Sequence, residues 1–280
     1  MERLVAFDNE GAKLYGVLGL PEGAPKGGVV MVHGWGGCRM GPHRILVKIC
    51  RSLNDRGYAA LRFDLRGRGD SEGDTERASL DGMISDACAA ARFVMQEAKL
   101  DHAALLGVCS GGNVVIGAAT LMPEVSDVIL WSTLPFQTHT RKVDAVKKSG
   151  SFAMDYMRKA LRPATWKKLI AGRVNFGLIR RVLFGHYAKP KDEEGGNPKD
   201  SARDIMAAFE QFKGRTVFIY GGADPEAAGA QQVYEPFTAE HGLDAQFHSI
   251  DGANHSFYSK EWKREVIELC LGWLDGGVKA

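Results

Sequence analysis

The chain has little cysteine, no long apolar run and no large excess of charge of one sign. Its five cysteines in 280 residues are odd in number and lack CxxC spacing. This argues against a disulfide framework or a zinc site and favours a cytoplasmic location. No apolar run approaches the roughly 20 residues needed to span a bilayer, and the first residues lack the apolar core of a signal peptide. HExxH and GxGxxG patterns are missing too, so no metal or other cofactor is expected.

The net charge of +2 hides an uneven distribution along the chain. Residues 134–200 contain 15 Lys and Arg against 6 Asp and Glu, a local charge of +9, whereas the rest of the chain is acidic. This predicts a basic surface that meets an anionic partner or substrate, with a solvated helical surface as the alternative. The basic segment does not show the pattern of alternating aromatic and basic residues typical of a single-strand binder, so nucleic acid is not an expected partner.

Short apolar runs that alternate with helical patterns predict an α/β fold, with a mostly parallel sheet covered by helices on both faces. The predicted strands are KLYGVLGL, GVVMVH, YAALRFD, HAALLGV, DVILW, TVFIY and AQFHSI, and the predicted helices cover 43–56, 78–98, 111–121, 201–213, 227–241 and 259–275. Residues 134–200 break the alternation. We predict that they form a basic helical cap inserted into an α/β core of residues 1–133 and 201–280.

The stretch LLGVCSGG, residues 105–112, is typical of a sharp strand-to-helix turn that presents a nucleophile. Such a turn needs small residues two positions before and two positions after the nucleophile. Centred on Cys109 these positions are Gly107 and Gly111, whereas centred on Ser110 the first would be the bulky Val108. The pattern therefore favours Cys109 as the nucleophile over Ser110, with a buried structural cysteine as the alternative.

An acid and a histidine follow in the chain order expected for a catalytic triad. Asp224 lies in GGADPEA, the stretch that follows the strand TVFIY, and His255 lies in a loop before the last helix. His255 would accept the thiol proton of Cys109, and Asp224 would orient the imidazole. Asp224 as a helix cap, Asp251 as the acid and His255 as a surface residue are the alternatives.

Two backbone amides are expected to stabilise a developing oxyanion. One is the amide of Ser110, which follows the nucleophile. The other is the amide of Trp35 in HGWGG, residues 33–37, where glycines allow the backbone to approach a substrate oxygen.

Four further residues are weaker candidates for substrate contact. His33, His43 and Arg44 lie in or just after the oxyanion loop, and Trp131 ends the strand that leads into the predicted cap. For His43 and Arg44 the alternative is a helix start after Gly41-Pro42. For Trp131 the alternative is a place in the core.

Together these motifs resemble the α/β-hydrolase superfamily from about residue 12 to residue 275. The set comprises HG-x-GG, G-x-C-x-G-G, the late Asp and His, and RFDLRGRGDSEG at residues 62–73. The glycines and aspartates of this last stretch suit tight turns near the site. Its arginines are expected to pair within the fold, with anion binding as the alternative.

Three stretches resemble one family more closely, the exosortase-A-associated hydrolases (type 1). They are RMGPHR at 39–44, MDYMRKALRPATWKKLIAGRVN at 154–175 and GANHSFYSKEW at 252–262. The chain departs from that family's pattern by having Ser110 where the family has Asp, and His-Gly where it has Gly-Gly. The resemblance implies a cysteine nucleophile and a link to bacterial exopolysaccharide biosynthesis.

The expected activity is that of an esterase, thioesterase or acyltransferase that acts through an acyl-cysteine intermediate. A thiolate forms readily, and its thioester can pass the acyl group to water, an alcohol or an amine. The expected substrate is a small-molecule or carrier-linked acyl compound. The alternative is a binding protein of the same fold that is non-catalytic or acts only within a complex.

Overall fold

The computed structural model describes residues 1–136 and 201–276. An eight-stranded sheet forms the centre of the fold. The strands are β1 (Glu2–Asn9), β2 (Ala12–Gly19), β3 (Gly28–Val32), β4 (Ala59–Phe63), β5 (Ala103–Val108), β6 (Val125–Trp131), β7 (Arg215–Gly221) and β8 (Asp244–Ile250). Their spatial order is β1-β2-β4-β3-β5-β6-β7-β8. Strands β3 to β8 run parallel, whereas β1 and β2 pair antiparallel with each other and β2 pairs antiparallel with β4.

Helices cover both faces of this sheet, as the alternating pattern predicts. The α-helices of the described residues are α1 (Ile45–Asp55), α2 (Leu80–Ala98), α3 (Gly111–Ala119), α4 (Ile205–Phe209), α5 (Ala227–Glu240) and α6 (Lys260–Leu274). The apolar residues of α1 and α6 pack on one face, and those of α2 to α5 pack on the other. The fold is that of an α/β-hydrolase, and the predicted fold class is confirmed.

The central strands are apolar throughout because they are buried on both sides. All six residues of β5 are buried, as are all five of β3. Strands buried on both faces of a parallel sheet show continuous apolar runs instead of alternation. The short length of these apolar runs and the glycines beside them distinguish the strands from helices in the sequence.

The register of the sheet brings the loops of the predicted site together. Strand β3 pairs with β5 so that Val32 lies opposite Gly107. Since parallel strands end at the same edge, the HGWGG loop after β3 lies beside the turn after β5. Strands β7 and β8 continue the sheet on the far side of β6, and their loops open at this same edge.

The predicted cap at residues 134–200 lies outside the described residues except for residues 134–136. Within the parts of the chain that the structure describes, no helix is both long and apolar enough to cross a membrane.

Candidate active site

Cys109 occupies the sharp turn between β5 and α3. Its backbone adopts a left-handed conformation with φ of 54°, whereas Ser110 has the ordinary helical φ of −63°. A left-handed backbone is unfavourable for a residue with a side chain, and such strain concentrates at functional sites. The turn is held by a 2.8 Å hydrogen bond from the Cys109 amide to the Trp131 carbonyl and a 3.0 Å bond from the Gly112 amide to the Cys109 carbonyl.

Two glycines allow the turn to be this tight. A Cβ atom at Gly107 would lie 2.6 Å from the Gly111 carbonyl oxygen, which is too close. A Cβ atom at Gly111 would lie 2.6 Å from the carbonyl oxygens of both Val32 and His33. Gly107 and Gly111 flank Cys109 two positions away on either side, and both are sites of close backbone approach.

His255 and Asp224 form a hydrogen-bonded pair at the same edge of the sheet. Nδ1 of His255 lies 2.7 Å from Oδ2 of Asp224, and the Asp224 side chain is only 2% exposed. The Ser132 hydroxyl donates to the His255 carbonyl at 3.0 Å, which fixes the loop that carries the imidazole. Asp251, the alternative acid, is exposed. Asp224 is therefore the carboxylate that orients His255.

The Cys109 thiol and the His255 imidazole shift each other's pKa. A side-chain hydrogen bond with His255 lowers the pKa of Cys109 below its ordinary value, although burial acts in the opposite direction. The same bond, supported by the bond to Asp224, raises the pKa of His255 to about 9. Both shifts favour a thiolate beside an imidazolium, which is the reactive form of a cysteine nucleophile.

The two predicted oxyanion donors both lie beside Cys109. The Ser110 backbone is one of the groups that lower the pKa of the Cys109 thiol. The Trp35 amide donates to the Ser110 hydroxyl at 2.7 Å. The Ser110 hydroxyl thus occupies the place where a substrate oxygen would meet the Trp35 amide. This hydrogen bond between Trp35 and Ser110 was not predicted from the sequence.

His33 has a supporting place in the oxyanion loop. Its ring is buried, Nδ1 donates to the Gly34 carbonyl at 2.8 Å, and Nε2 accepts the Leu65 amide at 3.2 Å. Burial lowers the pKa of His33, which fits the neutral ring that these two bonds require. Both ring nitrogens are engaged within the fold, and His33 also lines the pocket beside Ser110, so its contact with substrate stays a prediction.

Trp131 is a core residue. Its side chain is fully buried, its Nε1 donates to the Cys270 sulfur at 3.1 Å, and its ring packs edge-on against Phe257. The predicted contact of Trp131 with substrate is therefore wrong, because the last residue of β6 is still covered on both faces of the sheet.

His43 and Arg44 are exposed and lie in a short 3₁₀ turn, Pro42–Arg44, directly before α1. Both have left-handed backbones, with φ of 51° and 60°. The His43 ring lies 6.3 Å from the ring of Tyr258, which belongs to the His255 loop. Both residues thus form the helix entry, and His43 also contacts the loop that carries His255.

A largely apolar pocket opens beside Ser110. It is lined by Trp35, Leu65, Leu80, Met83, Ser110 and Val114, among others. Leu80 and Met83 come from the start of α2, and no motif in the sequence marks them as pocket residues. Their place depends on how α2 packs over the sheet.

Three neighbouring side chains could together bind a metal ion. Donor atoms of Asp224, Glu226 and His255 lie within 4.8 Å of one another. Two of these residues are already joined by the hydrogen bond that orients the imidazole. A metal ion bound there would displace that bond, so the geometry fits a proton-transfer pair better than a metal site.

Comparison with known proteins agrees with this architecture. Residues 23–173 match the family model described as serine aminopeptidase, S33. No curated protein matches the chain in sequence.

Several solved structures share the fold over nearly the whole chain. The dienelactone hydrolase of Anabaena variabilis is 18% identical, with a TM-score of 0.64, and the match covers 100% of this chain and 99% of that one. An esterase of Pyrococcus furiosus is 18% identical, with a TM-score of 0.67, covering 100% and 92%. Epoxide hydrolase A of Mycobacterium thermoresistibile is 19% identical, with a TM-score of 0.61, covering 99% of both chains. Since the family match covers more than half of the chain, the protein belongs to the serine aminopeptidase S33 family and is an α/β-hydrolase enzyme.

Proposed function

We propose that this enzyme hydrolyses a carboxylic ester or thioester through a covalent acyl-cysteine at Cys109. The observation that carries the proposal is the position of Cys109. It lies at a left-handed strand-to-helix turn and interacts with a histidine that is oriented by a buried carboxylate 2.7 Å away. The esterase and the dienelactone hydrolase of similar fold support an ester-type substrate.

In the first half of the reaction the Cys109 thiolate attacks the substrate carbonyl carbon. The carbonyl oxygen takes up the displaced electron pair and is stabilised by the Ser110 and Trp35 amides. For Trp35 to contribute, the Ser110 hydroxyl has to give up its present bond from that amide. His255 then protonates the departing alcohol or thiol, and Asp224 stabilises the imidazolium before that transfer.

In the second half water attacks the thioester carbon. His255 takes a proton from this water, the carbon–sulfur bond breaks, and the acid product leaves with Cys109 restored as thiolate. An alcohol or amine in place of water would make the enzyme an acyltransferase by the same steps.

We further propose that the enzyme belongs to the exosortase-associated branch of these hydrolases, with a substrate from exopolysaccharide biosynthesis. The support is the resemblance of residues 39–44, 154–175 and 252–262 described above. Cys109 at the nucleophile position agrees with that resemblance.

Intact-mass spectrometry after incubation with acyl thioesters and activated esters tests the nucleophile. Native protein is compared with Cys109→Ala, Ser110→Ala and, as a matched control, Cys38→Ala, which removes another partly exposed thiol. We expect an acyl adduct on native protein, Ser110→Ala and Cys38→Ala, and none on Cys109→Ala. An adduct that disappears only in Ser110→Ala would contradict the proposal, and so would full turnover by His255→Ala.

A further inference from the structure

A second cavity follows α2 and shares no lining residue with the pocket beside Ser110. It has a volume of about 380 Å³ and runs along the helix from Asp81 to Arg92, a distance of roughly 16 Å. Leu121, which follows α3, and Arg203, from the segment before α4, also line it. We call this cavity the α2 groove. Its volume is within the range of small-molecule sites.

The acidic side chains that line the α2 groove, among the described residues, already have partners within the fold. Asp81 accepts the Ser201 hydroxyl at 2.6 Å and the Ala202 amide at 3.0 Å. Glu10 pairs with Arg66 at 3.0 Å. Arg66, which lines the groove as well, is thereby neutralised, as the sequence analysis expects of the arginines in its stretch.

Arg92 and Arg203 also line the groove, but they lack such partners. Both are exposed, and in the described part of the chain neither side chain forms an ion pair or a hydrogen bond. Burial raises the pKa of the Cys88 thiol, and the charges of both arginines act against this rise. Both guanidinium groups therefore lie within electrostatic reach of one sulfur atom in the wall of the groove. Glu124 acts on the same thiol in the opposite direction but does not line the groove.

We infer that the α2 groove binds a phosphate group between Arg92 and Arg203, as the free ion or as part of a small phosphorylated compound. Two cations that share a cavity repel each other, and an anion between them neutralises both. A phosphate carries a charge of about −1.5 to −2 at neutral pH, and its oxygens match the paired N–H donors of two guanidinium groups. A carboxylate has one charge and pairs with one guanidinium group.

The size of the groove favours a phosphorylated compound over the free ion. Its volume equals that of about a dozen water molecules. This is more than a phosphate ion fills, so an organic part of the ligand has room beside the arginines. The site does not depend on the proposed function, because no residue placed in the active site lines the groove.

Isothermal titration calorimetry at low ionic strength tests the site with inorganic phosphate and glycerol 3-phosphate. We expect saturable binding to native protein, and tighter binding of glycerol 3-phosphate would identify the phosphorylated compound as the ligand. Arg92→Gln and Arg203→Gln should each weaken binding by about tenfold to a hundredfold, since hydrogen bonds to a charged group are lost. Arg92→Lys should retain part of the affinity, because it keeps the charge without the planar donors.

The matched control is Arg264→Gln, which removes an exposed arginine from α6 on the other face of the sheet. It should leave the affinity unchanged, and so should Cys109→Ala. Because the three arginines are exposed, their variants should unfold at the same urea concentration as native protein. Acetate, with a single charge, should bind more weakly than phosphate.

Four results would overturn the inference. The first is the absence of saturable binding of either phosphate probe. The second is unchanged affinity in both Arg92→Gln and Arg203→Gln, and the third is an equal loss in Arg264→Gln, which would show attraction to net charge alone. The fourth is loss of binding in Cys109→Ala, which would place the anion in the active site.

Discussion

Replacing Gly111 with alanine should disturb both the stability of the protein and the reactivity of Cys109. The new Cβ atom would lie 2.6 Å from two carbonyl oxygens, those of Val32 and His33. Both are backbone atoms, so no side chain can rotate away, and the start of α3 must move from β3 by roughly half an ångström. Overpacking of this kind costs about 1–3 kcal/mol, and a comparable shift of the nucleophile lowers its rate by about tenfold.

Gly229→Ala is the matched control for this change. Gly229 also lies in the first turn of a helix, α5, but nothing lies within 4 Å of a Cβ atom there. Alanine at this position should stabilise the protein by about 0.5–1 kcal/mol, since glycine is a poor helix former.

Urea unfolding and the alkylation rate of Cys109 by iodoacetamide measure the two effects. The experiments use Cys38→Ala protein so that the second partly exposed thiol does not react. If Gly111→Ala unfolds at the same urea concentration as its parent and is alkylated at the same rate, the close packing described for this turn is refuted.

Two further predictions concern the charge of the site. Alkylation of Cys109 should reach half its maximal rate below the ordinary thiol pKa of 9.0, because the thiolate forms at lower pH beside His255. In His255→Ala this midpoint should move to higher pH, and an unchanged midpoint would show that the imidazole does not stabilise the thiolate. Asp224→Asn should lower turnover by about 10²- to 10⁴-fold and bring the pKa of His255 down from about 9, as seen by NMR titration. Asp251→Asn, at the exposed alternative position, should do neither, and equal losses in both variants would contradict the assignment of Asp224.

Most of the sheet could be predicted because its strands are buried and bounded by turn residues. All seven predicted strands are present, as β2 to β8. Strand β1 was not predicted because only Val5 and Phe7 of its side chains are buried, while Leu4 is exposed. An edge strand of this kind shows a weak apolar pattern in the sequence.

Helix boundaries were less predictable than strands. The predicted helix at 43–56 begins at Ile45, because His43 and Arg44 adopt left-handed backbones. The predicted helix at 201–213 is confined to Ile205–Phe209, where the Asp204 side chain accepts the Ala207 amide and caps its start. Such local hydrogen bonds are decided by the surrounding structure and leave little trace in the apolar pattern.

The candidate site could be predicted where backbone geometry demands particular residues. For that reason the glycines on either side of Cys109 could be recognised in the sequence. The chain order of the nucleophile, Asp224 and His255 could be recognised as well. The hydrogen bond between Trp35 and Ser110 could not be predicted, since it depends on how two separate loops meet. The place of Trp131 stayed open in the sequence, because an aromatic residue at a strand end fits a pocket wall and a core equally well.

Cys109 and His255 come from distant parts of the chain. The reactivity of the Cys109 thiol is therefore expected to change as the chain folds. Cys109 follows β5, but the two residues that set its charge follow β7 and β8. Chains emerge from the ribosome with their N-terminal part first. Until the last two strands join the sheet, Cys109 is an ordinary cysteine at a tight turn. Under the proposed function, the thiol gains its reactivity only when the sheet is complete, and in Cys38→Ala protein fast labelling of Cys109 would report that folding has finished.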